Sequence, residues 1–140
     1  MQPRPITDPA PGSAPFTFTQ ITDTEGLLSH PGQSPATLKG AQLVASFPVE
    51  GIGTLIVTDC DCPFEELVYI HLLDPALTLL DTATLGGAYT PGIVQGMDRI
   101  GPRTFRIRFP DAGTSHRIEV HAPRRLFLRP PTWLTVTQDA

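Results

Sequence analysis

Thr104-Phe-Arg-Ile-Arg-Phe109 and His116-Arg-Ile-Glu-Val-His121 are the two segments whose reading decides the fold. Each alternates apolar and polar residues, the period of a strand with one buried face. Between them, Pro110-Asp-Ala-Gly-Thr-Ser115 has the composition of a chain reversal. An antiparallel register with Ile107 opposite Ile118 and Phe105 opposite Val120 gathers the apolar residues on one face. Arg106, Arg108, Arg117, Glu119 and His121 then share the other. In that register Arg106 faces Glu119 and Arg108 faces Arg117. Two arginines directly across a strand pair repel one another. The pairing therefore predicts that Arg108 and Arg117 converge on a carboxylate, from the acidic part of this chain or from a partner.

The same texture extends in both directions. On the C-terminal side, Leu126-Phe-Leu128 and Thr132-Trp-Leu-Thr-Val-Thr137 read as short strands separated by the strand-breaking Pro130-Pro131. Upstream, Phe16-Thr-Phe-Thr-Gln-Ile21 alternates at its start. Ala41-Gln-Leu-Val-Ala-Ser-Phe47 and Thr54-Leu-Ile-Val-Thr58 flank Pro48-Val-Glu-Gly-Ile-Gly53, a loop suited to a hairpin.

The middle of the chain reads two ways. Cys62-Pro-Phe-Glu-Glu66 and Asp74-Pro-Ala76 resemble helix starts, with proline in the first turn and acids near the positive end of the dipole. Leu67-Val-Tyr-Ile-His-Leu-Leu73 and Leu77-Thr-Leu-Leu-Asp-Thr-Ala-Thr-Leu85 show no sustained 3.6-residue period, and strands are the favoured reading. Seven to nine short strands result, with one or two short helices within 63–85 as the alternative. The expected fold class is all-β: a small antiparallel barrel or a two-sheet sandwich.

Residues 1–15 hold five prolines among small and polar residues and read as a loose tail, leaving 16–140 as one β domain. A chain of 140 residues, 40% of them hydrophobic and 17% charged, is large enough to bury a core and excludes wholesale disorder. No apolar run approaches the roughly 20 residues of a membrane helix, and the N-terminus does not read as a signal peptide. Two cysteines give no disulfide framework and fit a reducing compartment, so the expected location is cytoplasmic.

Charge is segregated along the chain. Up to Asp98 there are two basic residues against eleven acidic ones, a balance of −9; from Arg99 onward eight arginines face three acids, a balance of +5. Guanidinium suits carboxylate and phosphate geometry, so an arginine-bearing sheet face of Arg106, Arg108 and Arg117 is a candidate surface for an anionic partner. Ordinary surface pairing between basic and acidic strands is the plainer explanation. A protein partner or self-association is favoured over nucleic acid, because the overall charge is −4 and no nucleic-acid-binding motif is present.

Other constellations are sparse. Asp59-Cys-Asp-Cys62 has one residue between its cysteines, short of the usual zinc spacing, and no second pair follows, so no metal is expected. A vicinal redox pair is the alternative. No hydrolase elbow, zincin helix, phosphate loop or dinucleotide fingerprint occurs, and no cofactor is expected. The segment 86–102 carries five glycines and two prolines and reads as a hairpin around Ile93-Val-Gln95. Its alternative is a lid or oligomer contact presenting Tyr89, Met97 and Arg99 outward. Tyr69, His71 and Trp133 are core residues or the polar and aromatic lining of a cavity. Two functions follow. One is a non-enzymatic binding or assembly module. The other is a small β-barrel around an apolar small molecule, as in a cofactor-independent cyclase or isomerase. A filled interior favours the first.

Overall fold

The computed structural model describes residues 16–60, 65–88, 96–108, 115–124 and 132–139. The segment 1–15, Leu126–Leu128 and Tyr89 lie outside the described residues. Eleven strands run in chain order: β1 Thr17–Gln20, β2 Glu25–Ser29, β3 Ala36–Lys39, β4 Gln42–Val49, β5 Gly53–Asp59, β6 Glu65–Leu73, β7 Leu79–Ala88, β8 Gly96–Gly101, β9 Thr104–Arg108, β10 Ser115–Arg124 and β11 Thr132–Asp139. They form three antiparallel meanders, β1-β2-β3, β4-β5-β6-β7 and β11-β10-β9-β8.

The β4–β7 and β8–β11 sheets face one another across the main core. Phe47, Leu55, Val57, Val68, Ile70 and Leu72 on one side meet Met97, Phe105, Ile107, Ile118 and Val120 on the other. The rings of Phe47 and Phe105 sit 5.1 Å apart. Each fully buried aliphatic or aromatic side chain contributes about 1.5–3 kcal/mol by leaving water. The outermost strands of the two sheets do not pair with each other, so the architecture is a sandwich and the closed-barrel alternative is corrected.

A second core lies on the opposite face of the β4–β7 sheet. There Ile56, Leu73 and Leu77 pack against Leu28 and Leu38 of the β1–β3 sheet, with Phe16, Phe18, Ala36 and Leu43 around them. The β4–β7 sheet is therefore a middle layer. On β5 the residues 55–59 are all buried, as are 68–73 on β6. This explains why 67–73 reads as an unbroken apolar run: a strand covered on both faces has no polar side to alternate with.

Among the described residues of 63–85 there is no helix, which corrects the helix-start alternative. At Asp74 the carboxylate does cap backbone N–H groups, but those of a turn: Oδ1 accepts from Ala76 and Thr78, both at 2.9 Å. Leu77 holds a φ of 64° within this turn. Its side chain, 7% exposed, is buried in the second core, and that burial offsets the left-handed strain.

The hairpin read from 104–121 forms, with a register two residues from the expected one. Arg106 faces Arg117, Arg108 faces Ser115, and Phe105 faces Ile118. A slip of two keeps every side chain on its own face, so alternation alone does not choose between the two registers. Within 86–102, β8 pairs with β9 instead of projecting, and Met97 is 1% exposed, in the main core and not presented outward. Met97 is thus a packing residue.

Candidate functional site

Because Phe105, Ile107, Ile118, Val120 and Met97 point into the core, their neighbours point away from it. The outward face of the β8–β11 sheet consequently carries Asp98, Arg106, Arg108, Arg117 and Glu119. Strand pairing arranges them in rows. Asp98, Arg106, Arg117 and Thr137 lie side by side across the four strands, and the next row runs Gly96, Arg108, Ser115, Asp139. Cβ atoms directly opposite are about 5 Å apart, so Arg106 and Arg117 place two guanidinium groups on one small area. Arg108 reaches diagonally to Asp98, Nη1 to Oδ2 at 2.5 Å, with the side chains 42% and 33% exposed. The expected carboxylate for Arg108 is therefore internal and comes from the acidic part of the chain. Arg117 does not stand opposite Arg108.

Arg99 is placed otherwise. Its guanidinium donates to the carbonyls of Pro102, at 3.1 Å, and of Pro48, and its carbon lies 5.0 Å from the centre of the Phe105 ring. Arg103 donates to the Glu50 carbonyl at 3.2 Å. Both arginines tie the β8–β9 hairpin to the edge of the middle sheet.

Charge separates in space as well as in sequence. Among the described residues, the β8–β11 layer holds six arginines and three acids; residues 16–60 and 65–88, which make the other two layers, hold one lysine and eight acids. The basic layer lies on one side of the main core and the acidic layers on the other.

A second polar group is buried. His71 on β6, 1% exposed, lies between the middle sheet and β3. Its Nε2 is 3.1 Å from the Lys39 carbonyl and 3.1 Å from Thr58 Oγ1; Nδ1 is 3.2 Å from Thr82 Oγ1. The Thr58 hydroxyl also donates to the Lys39 carbonyl, at 2.6 Å. A carbonyl only accepts, so Nε2 carries the ring proton and Nδ1 accepts from Thr82. Burial lowers the His71 pKa from 6.5 to about 4; the hydrogen bond to the Lys39 carbonyl acts upward, and the Lys39 charge lowers it further.

Tyr69, 8% exposed, shares this face of β6, its ring 6.2 Å from that of His71. Trp133 packs against the main core, on the other side of the middle sheet. The three residues read as one cavity lining are thus divided between two cores. Sequence reasoning missed Lys39, Thr58 and Thr82 as partners of His71, because none forms a motif with it. It also missed Asp81, whose Oδ2 accepts the backbone N–H groups of Trp133 and Leu134.

Cys60 is disulfide-bonded. The bond departs from the reduced state expected of a reducing compartment and agrees with the redox alternative for this cysteine. Among the described residues no helix is long and apolar enough to cross a membrane. Comparison with family models, curated proteins and solved structures gave no match to this chain.

Proposed function

We propose that this chain is a non-enzymatic binding or assembly module whose working surface is the outward face of the β8–β11 sheet, and that the partner is a carboxylate-bearing protein surface. The observation that carries this reading is the placement of Arg106 directly opposite Arg117 on the basic layer of a molecule whose other layers are acidic. Two guanidinium groups set side by side on one sheet face suit a carboxylate-bearing surface in geometry and in charge. A carboxylate partner fits better than nucleic acid, because Asp98 and Glu119 are interspersed among the arginines and the chain carries −4 overall. The open sandwich, with Phe47 and Phe105 packed ring to ring across its main core, supports a scaffold over a ligand-enclosing barrel.

The experiment is fluorescence anisotropy with a labelled oligoglutamate peptide, run beside sedimentation of the protein alone. Wild type should bind the peptide or self-associate, more weakly as salt rises. The Arg106→Gln, Arg117→Gln double variant should lose at least tenfold in that affinity while its melting temperature stays within about 2 °C of wild type. Association that is unchanged in the double variant overturns the reading, as does tighter binding to duplex DNA than to the peptide.

A further inference from the structure

We propose that His71 is a proton-operated latch that holds the β1–β3 layer on the middle sheet and releases it when the imidazole is protonated. Both of its nitrogens are engaged, Nε2 by the Lys39 carbonyl at the end of β3 and Nδ1 by the Thr82 hydroxyl on β7. Thr58 on β5 is bonded to the same carbonyl. One side chain therefore connects the end of the β1–β3 layer to three strands of the sheet beneath it. The contact is tight at that point: a Cβ on Gly40, next to Lys39, would stand 2.3 Å from Thr58 Oγ1.

The surroundings suit a neutral ring and oppose a charged one. From β3 the nearest charge is Lys39 itself, a cation, with Glu25 across from it on β2. From β5 and β7 the ring meets two threonine hydroxyls, and from its own strand the Tyr69 ring. Asp59 and Asp81 adjoin Thr58 and Thr82 in sequence and so project from the opposite face of the sheet. Asp81 spends its carboxylate there on Trp133 and Leu134. A proton arriving at Nδ1 forces the Thr82 hydroxyl to turn round and leaves a cation between two layers that no carboxylate among the described residues faces. Lifting the β1–β3 layer brings water to it.

What opens is bounded. The second core, Leu28 and Leu38 against Ile56, Leu73 and Leu77, is separate from the main core between the middle sheet and β8–β11. Acid should therefore expose an apolar patch on the middle sheet while the β4–β11 sandwich stays closed. With the ring at about 4 when covered and at its ordinary 6.5 when hydrated, the opening equilibrium rises on the order of 10²-fold between pH 7 and 4.5.

Amide hydrogen exchange followed by NMR, corrected for the intrinsic pH dependence of exchange, reads this directly. Amides of β2 should gain that factor between pH 7 and 4.5, while those of β9 and β10 keep their protection. In His71→Gln the β2 factor should disappear. Should that variant fail to fold, the wild-type His71 Cε1–H chemical shift serves instead, and its titration must track the loss of β2 protection. Simultaneous exposure of β2 and β9, a β2 factor that survives in His71→Gln, or ring titration near 6.5 without any opening would each overturn the latch.

Discussion

Asp81 and Trp133 join two sheets that share no strand pairing: Asp81 Oδ2 on β7 accepts the Trp133 backbone N–H on β11 at 2.9 Å, and that of Leu134 at 3.0 Å. At the opposite seam of the sandwich Arg99 on β8 donates to the carbonyl of Pro48 on β4. Both seams of the main core are thus fastened by charged side chains on the backbone of the facing sheet, Asp81 at one and Arg99 with Arg103 at the other. Charge at these positions also blunts the edges against pairing with other chains, and Pro48, which has no N–H to offer a ladder, acts the same way.

The seam fastenings predict a graded mutational series. Asp81→Ala leaves two edge N–H groups without their carboxylate and should cost about 2–3 kcal/mol; Asp81→Asn, which keeps an acceptor, should cost about 1. Arg99→Lys keeps the charge but loses the forked reach to Pro48 and Pro102, and should cost about 1 kcal/mol. Because the residues sit at opposite seams, the Asp81→Asn, Arg99→Lys double variant should be additive within about 0.5 kcal/mol. Urea denaturation of the four proteins checks this, and a cost below 0.5 kcal/mol for Asp81→Ala would remove the seam role.

Alternation made the faces of β9 and β10 readable, together with the hairpin between β4 and β5. Register was not readable, because Phe105, Ile107, Ile118 and Val120 stay inside under either of two pairings two residues apart. β2 and β3 escaped notice because four or five residues such as Ala36-Thr-Leu-Lys39 carry too little pattern to stand out from a loop. β8 was hidden by its glycines. Asp81 had no sequence signal: it is one acid in a threonine-rich strand, and its partners lie about fifty positions away. His71 was visible as a histidine in an apolar run, but the hydroxyls and carbonyl that satisfy it come from three other strands.

Two glycines separate steric cost from conformational cost. Gly32 has a φ of +82° and nothing within 4 Å of a Cβ position, so Gly32→Ala should cost about 1 kcal/mol from backbone strain alone. Gly40 has a φ of +123° and the Thr58 side chain in the way, so Gly40→Ala should cost about 2–4 kcal/mol. Thermal unfolding of the two variants at pH 7 gives the comparison. Equal losses would mean that the β3–β4 junction is not pressed against the middle sheet.

His71 also fixes the sign of the pH dependence of stability. Its folded-state pKa, about 4, lies below the 6.5 of the unfolded chain, so below pH 6.5 the unfolded state binds the extra proton. The stabilisation tied to the neutral ring is complete above pH 6.5 and lost progressively down to about pH 4. The whole difference corresponds to about 3 kcal/mol. Denaturant titrations at pH 7, 5.5 and 4.5 should show this slope in wild type, and subtracting the His71→Gln curve should leave it. Parallel curves for the two proteins would assign acid sensitivity to the carboxylates instead.

The arginines of the outward face should separate in their effects, because Arg108 reaches Asp98 along a diagonal while Arg106 and Arg117 stand directly opposite one another. Arg108→Gln removes an ion pair whose side chains are 42% and 33% exposed, so solvent screening limits the loss to about 0–1 kcal/mol. Arg117→Gln removes a charge directly opposite Arg106 and should change stability by no more than about 0.5 kcal/mol. Stability therefore predicts Arg108 as the costlier residue to lose. Binding predicts the reverse order: Arg117→Gln should weaken oligoglutamate binding or self-association more than Arg108→Gln, since Arg117 forms with Arg106 the facing pair on which the proposed surface is centred. The two measurements, made on the same pair of variants, test structure and function against each other. If Arg117→Gln proves the more destabilising and leaves association unchanged, the arginine face is part of the fold's own charge balance and the module binds elsewhere.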